Sequence, residues 1–563
     1  MFIPATKDEL QALGWKSLDV VLVTGDTYVD SPYIGVAVIG KVLLDAGYRV
    51  GIIAQPDIAG PGDIGRLGEP DLFWGITSGC MDSMISNYTA TGKKRRRDDL
   101  TGGGVNNRRP DLAVIAYSNL IRRYFKNTRP IVLGGMEASL RRISHYHHMS
   151  DSIRRSILFD ARADILVYGM GEQTILELAE RIRDKRPVQD VRGICYIAAD
   201  KKQGYIELPS HGQAAADPGA FTRMFKAFYR NNDPENAKGL CQRQDSRYLI
   251  HNPPRPPMTS GQLDHIHELG YERQVHPYYA SLGPVRALET IRFSLTTHRG
   301  CFGECRFCAI SVHQGRAVIS RSETSILKEA ARLTAHPEFK GTIQDVGGPT
   351  ANMYGMDCGR KDKTGACGRS CLAPAVCENL AVDHGRQIAL LKELRDLTGV
   401  KNVFIGSGIR HDLVLLDAAR GLEYLEDIIA RHISGQLKLA PEHSEDEILD
   451  LMGKPAIDGF IEFKRRFETI NRRLQKKQFL TCYFMAAYPG CTFEHMARLN
   501  RFAREVLKFR PRQIQIFTPS PSTPATLMYY TEKSYRTGKT LFVEKNARRK
   551  AQQKNLLLAG PSK

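Results

Sequence analysis

The sequence predicts an α/β protein with an N-terminal doubly wound parallel sheet followed by a partial (βα)6 barrel. Short β-branched runs alternate with helical patterns in both halves of the chain. Strands and helices in alternation are typical of parallel sheets covered by helices. Polar and Pro-rich sequence separates the two halves. We therefore expect two α/β regions and a segment that links them.

The N-terminal region, which we assign to residues 1–195, contains short apolar runs that are typical of strands. The predicted strands cover residues 20–24, 50–54, 112–116, 131–133 and 165–168. Helical periodicity lies between them, for example at 34–44 and 174–183. This order predicts a doubly wound parallel sheet.

The regular pattern stops at residues 196–287, which we predict to be an irregular connecting segment. Its run Asn252-Pro-Pro-Arg-Pro-Pro257 is unsuited to both helices and strand ladders. A barrel is then expected over 288–545, with a Cys-rich insertion at 350–380 and a basic helix or tail at 546–563. The predicted barrel strands are 291–297, 342–346, 403–405, 437–439, 479–486 and 514–517.

Composition narrows the class of protein. A chain of 563 residues with 42% hydrophobic content can bury more than one core, which excludes disordered and fibrous proteins. The longest apolar runs have the length of strands, so no membrane span is expected. The N-terminus lacks a secretory pattern, so we expect a cytoplasmic protein.

The formal net charge of +19 favours a polyanionic partner such as RNA, or an anionic substrate. Part of the excess lies in the local run Lys93-Lys-Arg-Arg-Arg97. Such a run is found in solvated loops as well as in phosphate-binding grooves.

Twelve cysteines in a chain without an export signal indicate metal binding or catalysis, because a reducing cytosol disfavours disulfides. The most informative are Cys301, Cys305 and Cys308, which follow the first barrel strand. Three thiolates on one loop can bind three irons of a four-iron four-sulfur cluster and leave the fourth iron without a protein ligand. Structural zinc, the alternative, requires four ligands.

An open iron can chelate the amino and carboxylate groups of S-adenosylmethionine, whose reductive cleavage gives a 5′-deoxyadenosyl radical. Loops at the carboxyl ends of the predicted strands are candidates to hold the rest of this molecule. Each loop also has a purely structural interpretation. The candidate residues are Phe307 for the adenine, Gly347 and Gly348 for the ammonium, Ser407 and Arg410 for the carboxylate, and Lys438 and Glu442 for the ribose.

These motifs resemble those of the radical S-adenosylmethionine superfamily, and the surrounding sequence is similar to that of its YgiQ family. The resemblance covers the chain from about Gly25 onward. Its motifs are Gly134-Gly-Met-Glu-Ala-Ser-Leu-Arg-Arg142, Ser152-Ile-Arg-Arg-Ser-Ile-Leu158, Tyr168-Gly-Met-Gly-Glu172, Asn252-Pro-Pro254, His313-Gln-Gly-Arg316, Tyr354-Gly-Met356 and Ser407-Gly-Ile-Arg-His-Asp412. The chain departs from the usual sequence of the family at His147-His148-Met149 and at Cys80.

The resemblance implies that the N-terminal domain is similar to the cobalamin-binding domains of sister enzymes. Those domains donate a His to cobalt from an Asp-x-His-x-x-Gly loop after the first strand. Here the loop reads Asp26-Thr-Tyr28-Val-Asp30 and lacks the imidazole. Because His is the commonest protein ligand for such a metal, the sequence disfavours cobalamin, although cobalamin could still bind without a lower ligand. The favoured interpretation is a relic fold that shapes substrate access or partner contact.

A second group of cysteines, Cys358, Cys367, Cys371 and Cys377, lies in the insertion between the second and third barrel strands. Four thiols match the ligand count of an auxiliary iron–sulfur cluster or of structural zinc. Thiols that bind no metal are the third interpretation. The irregular spacing fits no standard zinc motif.

The sequence therefore predicts a radical S-adenosylmethionine enzyme that takes electrons from a donor such as flavodoxin or ferredoxin. RNA modification, protein modification and sulfur insertion are candidate reactions, and no side chain is assigned as catalytic. One alternative is an iron–sulfur protein that senses redox state or oxygen without radical chemistry. Another is an RNA-binding scaffold, which leaves the cysteine pattern unexplained.

Overall fold

The computed structural model describes residues 1–360, 365 and 370–558. The chain divides into two compact units. The first contains Met1–Pro257 and His265–Arg292, and the second contains Met258–Asp264 and the residues from Phe293 onward. The division near residue 292 lies close to the expected start of the barrel, but the first unit extends well beyond residue 195.

The first unit is built on a mixed sheet in which β3, β1, β4, β5 and β8 run parallel in that spatial order. All five residues of β1 are buried, as expected for a central strand with helices on both faces. The strands are β1 (Val20–Thr24), β2 (Val29–Asp30), β3 (Val50–Ala54), β4 (Phe73–Thr77), β5 (Ile131–Leu133), β6 (His145–His147), β7 (Ser152–Arg154), β8 (Ile165–Val167), β9 (Ile194–Ala198), β10 (Ile206–Leu208), β11 (Leu240–Gln244), β12 (Arg247–His251) and β13 (Gln274–Val275).

Helices connect these strands, and two of them agree closely with the predicted ranges 34–44 and 174–183. The helices are Lys7–Ala12, Gly35–Asp45, Ser83–Asn87, Ala113–Tyr124, Gly135–Leu140, Ile157–Asp160, Glu172–Arg183, His211–Ala216, Pro218–Arg230, Pro277–Ala280 and Ala287–Ile291, with a 3-10 turn at Gly102–Gly104. A further helix, Ser260–Glu268, lies where the chain passes between the two units.

The predicted strand at 112–116 is wrong, because this segment begins the helix Ala113–Tyr124. Leu112 precedes the helix with φ of 48°, in the left-handed region. The buried residues, which include Ala113, Val114, Tyr117 and Ile121, follow the helical period. The strand that pairs with β1 and β5 is instead β4, which the sequence analysis missed.

Residues 196–287 are not irregular, contrary to the prediction. After β8 the sheet continues through β9, β12 and β11 in antiparallel pairs, and β10 joins β11 in parallel. The helix Pro218–Arg230 buries Phe221, Met224, Phe225 and Phe228 on one face. The Pro-rich run itself has no regular structure, but the residues before it extend the sheet.

The second unit contains short parallel ladders that pair β14 with β18, β17 with β19, and β20 with β21 and β22. A parallel bridge between Ile409 and Leu439 links the segment after β19 to β20. The strands are β14 (Ser294–Thr296), β15 (His298–Arg299), β16 (Ile319–Ser320), β17 (Thr342–Ile343), β18 (Asp345–Gly347), β19 (Asn402–Val403), β20 (Gln436–Glu442), β21 (Phe479–Ala486) and β22 (Gln513–Ile516).

Helices follow these strands in turn, as in α/β folds with parallel strands. They are Ile310–His313, Glu323–Thr334, Gly385–Asp396, His411–Leu416, Gly421–Asp427, Asp446–Met452, Ile457–Arg473, Phe493–Phe502, Pro524–Thr531 and Ala547–Leu558, with a 3-10 turn at Ala351–Met353 and π-helical turns at Ile428–His432 and Ala503–Leu507. Within the described residues, no helix is both long and apolar enough to span a bilayer.

Candidate metal centre

The cysteine loop begins directly after β15 and is held by backbone contacts. The Cys308 amide donates to the Cys305 carbonyl at 2.9 Å, which closes a turn between the last two cysteines. The Arg306 amide donates to the Met452 carbonyl at 2.8 Å, and its side chain donates to the Leu451 carbonyl at 3.2 Å. The loop that carries the three thiols is therefore fixed to the chain at Met452.

Electrostatics indicates that the three sulfurs lie near one another. Burial and, after it, the neighbouring Cys305 thiol raise the pKa of the Cys301 thiol, and together they raise that of Cys308 to about 12. Three mutually repelling thiolates require a positive partner to stay deprotonated together. A metal centre supplies that charge.

The backbone at Gly303 lies close to two of the sulfurs. A Cβ at Gly303 would lie 3.2 Å from the Cys301 sulfur and 3.7 Å from the Cys305 sulfur. A side chain here would therefore crowd the two thiols. Soft thiols of this kind are donors that an iron–sulfur cluster can use.

Within 1–360, 365 and 370–558, no three His, Cys, Asp or Glu side chains converge in the way that a single metal ion requires. Cluster ligation makes a different demand, because each thiolate binds its own iron. Three thiols can therefore serve a cluster without converging on a single point.

Arg410 faces the cysteine loop and is already paired. Its Nε and Nη2 both donate to the carboxylate of Asp412, with a bond of 2.9 Å from Nε to Oδ1, while Nη1 lies 3.9 Å from the Cys305 sulfur. Burial opposes the charge on Arg410, but Asp412 outweighs it and raises the Arg410 pKa. Most of the guanidinium fork expected to hold a ligand carboxylate is therefore occupied by Asp412.

Ser407 and Lys438 each contact a residue of another segment of the second unit. The amide and hydroxyl of Ser407 each donate to Asp345 Oδ1 at 3.0 Å, and Lys438 Nζ donates to the Gly406 carbonyl at 2.6 Å. Burial raises the pKa of Asp345, against these hydrogen bonds. The contacts explain how the loop after β19 is shaped.

The glycines after β18 permit a close approach of neighbouring chain. A Cβ at Gly347 would lie 2.7 Å from Ser407 Oγ, and one at Gly348 would lie 2.6 Å from His298 Nε2. The Gly347 carbonyl accepts from the Thr297 amide at 2.8 Å. Gly347 and Gly348 are therefore required by packing.

Glu442, at the end of β20, is the predicted ligand residue with the most unusual environment. It is 9% exposed and has φ of 70°, in the left-handed region. Burial raises the pKa of Glu442 to about 7, against the opposing charge of Lys454. No hydrogen bond reaches its carboxylate from the described residues, so this acceptor is available to a ligand.

Phe307 is partly buried and makes an edge-on contact with Tyr488, with ring centroids 6.3 Å apart. The sequence analysis missed three neighbours of the site. Thr350 Oγ1 lies 3.7 Å from the Cys301 sulfur, Asp412 pairs with Arg410, and Lys454 opposes the charge on Glu442. Asp412 belonged to a recognised motif, whereas Thr350 and Lys454 had no signal in the sequence.

Of the second cysteine group, Cys358, Cys371 and Cys377 are buried, and Cys367 lies outside the described residues. Cys358 and Cys371 belong to an apolar cluster with Phe302, and Cys301 packs against that cluster. The described part of the insertion is thus adjacent to the first cysteine of the triad.

Comparison with known proteins agrees with this chemistry. A family model described as Radical SAM N-terminal matches residues 2–294. A UPF0313 protein from Fusobacterium nucleatum subsp. nucleatum is 52% identical over 558 residues, which cover 99% of this chain and 98% of that protein. The chain belongs to the UPF0313 (YgiQ) family of radical S-adenosylmethionine proteins. The predicted family resemblance is confirmed.

Other relatives of the family have the same extent. A UPF0313 protein from Thermotoga maritima is 46% identical over 561 residues, covering 99% of this chain and 98% of that protein. Among solved structures, the radical S-adenosylmethionine methyltransferase TsrM from Kitasatospora setae, with cobalamin and a [4Fe-4S] cluster bound, has a TM-score of 0.50 at 14% identity. The likeness covers 91% of this chain and 78% of TsrM, and it confirms an α/β fold with a large parallel sheet.

The expectation against cobalamin is not supported by this likeness, because the TsrM structure holds cobalamin. In this chain, however, the loop after β1 offers no imidazole. Tyr28, at the position of the cobalt-binding His, is buried, accepts a hydrogen bond from the Ile3 amide at 3.1 Å and stacks on His276. Asp26 is paired with Arg109 at 2.6 Å. The loop therefore does not fit the role of a lower cobalt ligand.

Proposed function

We propose that this UPF0313 protein binds a [4Fe-4S] cluster through Cys301, Cys305 and Cys308 and reductively cleaves S-adenosylmethionine. The observation that carries the proposal is the set of three mutually interacting, largely buried thiols, two of which lie close to the backbone of Gly303. When bound, such a cluster supplies one electron to the sulfonium of S-adenosylmethionine, which gives a 5′-deoxyadenosyl radical.

The chain's own residues then position the substrate. We propose that the segments around β14 to β22 form the predicted partial (βα)6 barrel and that the loops at its carboxyl ends line the site. Glu442 accepts hydrogen bonds from the ribose hydroxyls, because its buried carboxylate has no partner among the described residues. Phe307 packs against the adenine, and Arg410 contributes positive charge beside Cys305.

We further propose that Cys358, Cys367, Cys371 and Cys377 hold a second iron–sulfur cluster. The proximity of Cys358 and Cys371 to the apolar surroundings of Cys301 supports a role near the reaction. Electrons come from a small donor protein such as flavodoxin or ferredoxin. A reducing compartment such as the cytoplasm suits these thiols.

The test is anaerobic reconstitution with iron and sulfide, followed by dithionite and S-adenosylmethionine. We expect 5′-deoxyadenosine from the wild type and from Cys241→Ala, a control at a buried strand cysteine of the first unit, and none from Cys305→Ala. About eight irons per chain support two clusters, and about four support one. A loaded cluster that yields no 5′-deoxyadenosine contradicts the proposal and favours the sensor hypothesis.

A further inference from the structure

We propose that residues 93–97, here called the basic segment, dock the phosphodiester backbone of a nucleic-acid strand on the first unit. The segment is Lys93-Lys94-Arg95-Arg96-Arg97, and it lies in the long connection between β4 and β5. This site names a macromolecular partner for the proposed enzyme, and in that sense it rests on the proposed function. Binding itself requires no cleavage of S-adenosylmethionine.

All five side chains of the basic segment are exposed. In the described part of the chain, no carboxylate lies within ion-pair distance of any of them. Other arginines of the unit are neutralised locally, as Arg49 is by Asp19 at 2.6 Å and Arg154 by Asp160 at 2.7 Å. The basic segment therefore presents uncompensated charge to solvent.

The backbone of the segment is ordered by its neighbours on both sides. The Thr89 amide donates to the Lys93 carbonyl at 2.8 Å, and the Arg95 amide donates to the Asn87 carbonyl at 2.7 Å. Bridges also pair Lys94 with Tyr88 and Arg97 with Val105. The backbone of the segment is therefore ordered, and little backbone entropy is lost when a ligand binds.

The acidic residues nearby are fewer than the exposed cations. Asp98 lies 2.9 Å from Arg109 and Asp99 lies 3.5 Å from Arg286, whereas Asp111 accepts from the Tyr88 hydroxyl at 2.6 Å and keeps its charge. Arg108 adds another exposed cation three residues beyond Val105, which forms a bridge with Arg97. The local field is therefore positive.

Five consecutive cations suit a linear polyanion, in which every nucleotide contributes one phosphate, and arginine forks bind phosphates in two-point contacts. A membrane surface fits less well, since stable peripheral binding also requires buried apolar area. Between residues 88 and 108, all of which the structure describes, Val105 is the single large apolar side chain that is exposed. The geometry thus favours nucleic acid.

The experiment measures fluorescence anisotropy of a labelled single-stranded RNA of about 20 nucleotides, with the full-length protein, across a salt series. Lys93→Ser, Lys94→Ser and Arg96→Ser are combined in one variant. We expect its affinity to fall at least about tenfold, with the slope of log affinity against log salt reduced by about 2, because three phosphate contacts are removed.

The matched control combines Arg123→Ser, Lys126→Ser and Arg129→Ser. These cations lie close together in sequence, are exposed, and precede β5 at the amino edge of the sheet rather than its carboxyl edge. We expect the affinity of this variant for RNA to stay within about twofold of that of the wild type. The remaining loss measures the general effect of removing three positive charges.

Equal losses in the two triple variants overturn the proposal, since net charge alone then explains binding. A loss of binding to phosphatidylglycerol vesicles with RNA binding unchanged also overturns it. The same measurement with a DNA oligonucleotide of matching sequence tests what the segment recognises. Equal losses of affinity for DNA and RNA in the first variant indicate recognition of the phosphodiester backbone, and a loss for RNA alone indicates recognition of the ribose. If the first variant unfolds, Arg97→Gln combined with Arg108→Gln replaces it, and the slope is then expected to fall by about 1.4 because two phosphate contacts are removed. Formation of 5′-deoxyadenosine without RNA reports separately on the proposed function.

Discussion

Nη1 of Arg410 lies 3.9 Å from the sulfur of Cys305, while the rest of the guanidinium is bound by Asp412. The arginine is thus held in place by its own carboxylate partner and directs one N–H group toward a thiol of the proposed cluster. Burial would raise the pKa of Asp412, but Arg410 outweighs it and lowers that pKa to about 2. The ion pair therefore persists throughout the physiological pH range.

Removing this cation should lower the reduction potential of the cluster. We expect Arg410→Met to shift the midpoint potential negatively, on the order of tens of millivolts, because a positive charge near the sulfurs stabilises the reduced state. The measurement is a redox titration followed by electron paramagnetic resonance. Arg410→Lys should recover part of the shift, and an unchanged potential in Arg410→Met would show that the guanidinium has no influence on the cluster.

Gly303 should be needed for cluster loading. Gly303→Ala places a methyl group close to the sulfurs of Cys301 and Cys305, so iron per chain after reconstitution should fall several-fold. Gly212→Ala is the control, because no atom lies within 4 Å of a Cβ at that helical position. Full loading of Gly303→Ala would mean that the loop rearranges around the bound group.

Glu442 should make stability depend on pH. Its pKa is about 7 in the folded protein and near the ordinary carboxyl value when unfolded, so the folded state binds more protons between these values. Stability from this group is therefore present at low pH and is lost as pH rises from about 4.5 to 7, by up to about 3 kcal/mol. Urea unfolding at several pH values should show this loss in wild type and not in Glu442→Gln. The same dependence of stability on pH in the wild type and in Glu442→Gln would contradict this prediction.

The buried pair of Asp26 and Arg109 should contribute strongly to the stability of the first unit. Both side chains are almost fully buried, and Arg109 also lies 2.9 Å from Asp98. Asp26→Ala leaves the buried guanidinium with Asp98 as a carboxylate partner but removes buried hydrogen bonds, which should cost about 1–3 kcal/mol in unfolding free energy. Asp71→Ala, which breaks the exposed contact with Arg49, should cost less than about 1 kcal/mol. Equal effects in a denaturant titration would refute this difference.

The insertion should hold metal independently of the triad. Cys371→Ala is expected to reduce iron from about eight to about four per chain while 5′-deoxyadenosine formation from the remaining cluster persists. Iron and zinc analysis beside the product assay gives both readings. Unchanged iron with loss of zinc would instead identify the insertion as a structural zinc site.

Local patterns in the sequence predicted many of the elements. The buried β-branched runs of β1 and β3 match the predicted strands, because strands inside a parallel sheet are apolar on both faces. The run at 112–116 is similarly apolar but forms a helix. A short apolar run does not by itself indicate whether a strand or a helix forms. The missed strand β4 contains Gly75 in its interior, which weakened its pattern.

The site was predictable only in part. Local spacing revealed the cysteine triad, because all three ligands lie on one loop. Tertiary contacts decided the rest. The pairing of Ser407 with Asp345 and the effect of Lys454 on Glu442 join residues far apart in the chain, and neither residue type nor spacing indicates them.

The path of the chain between the two units has a consequence for how such a protein can be divided or recombined. Residues Met258–Asp264 belong to the second unit although the chain returns to the first for His265–Arg292. Asp264 accepts from the Ser322 amide at 2.9 Å, beside the buried Arg321. A gene fragment that begins at Phe293 therefore lacks a piece of its own scaffold. The two units are interleaved in the primary structure, so exchange of domains by a single crossover in this region would damage one of them.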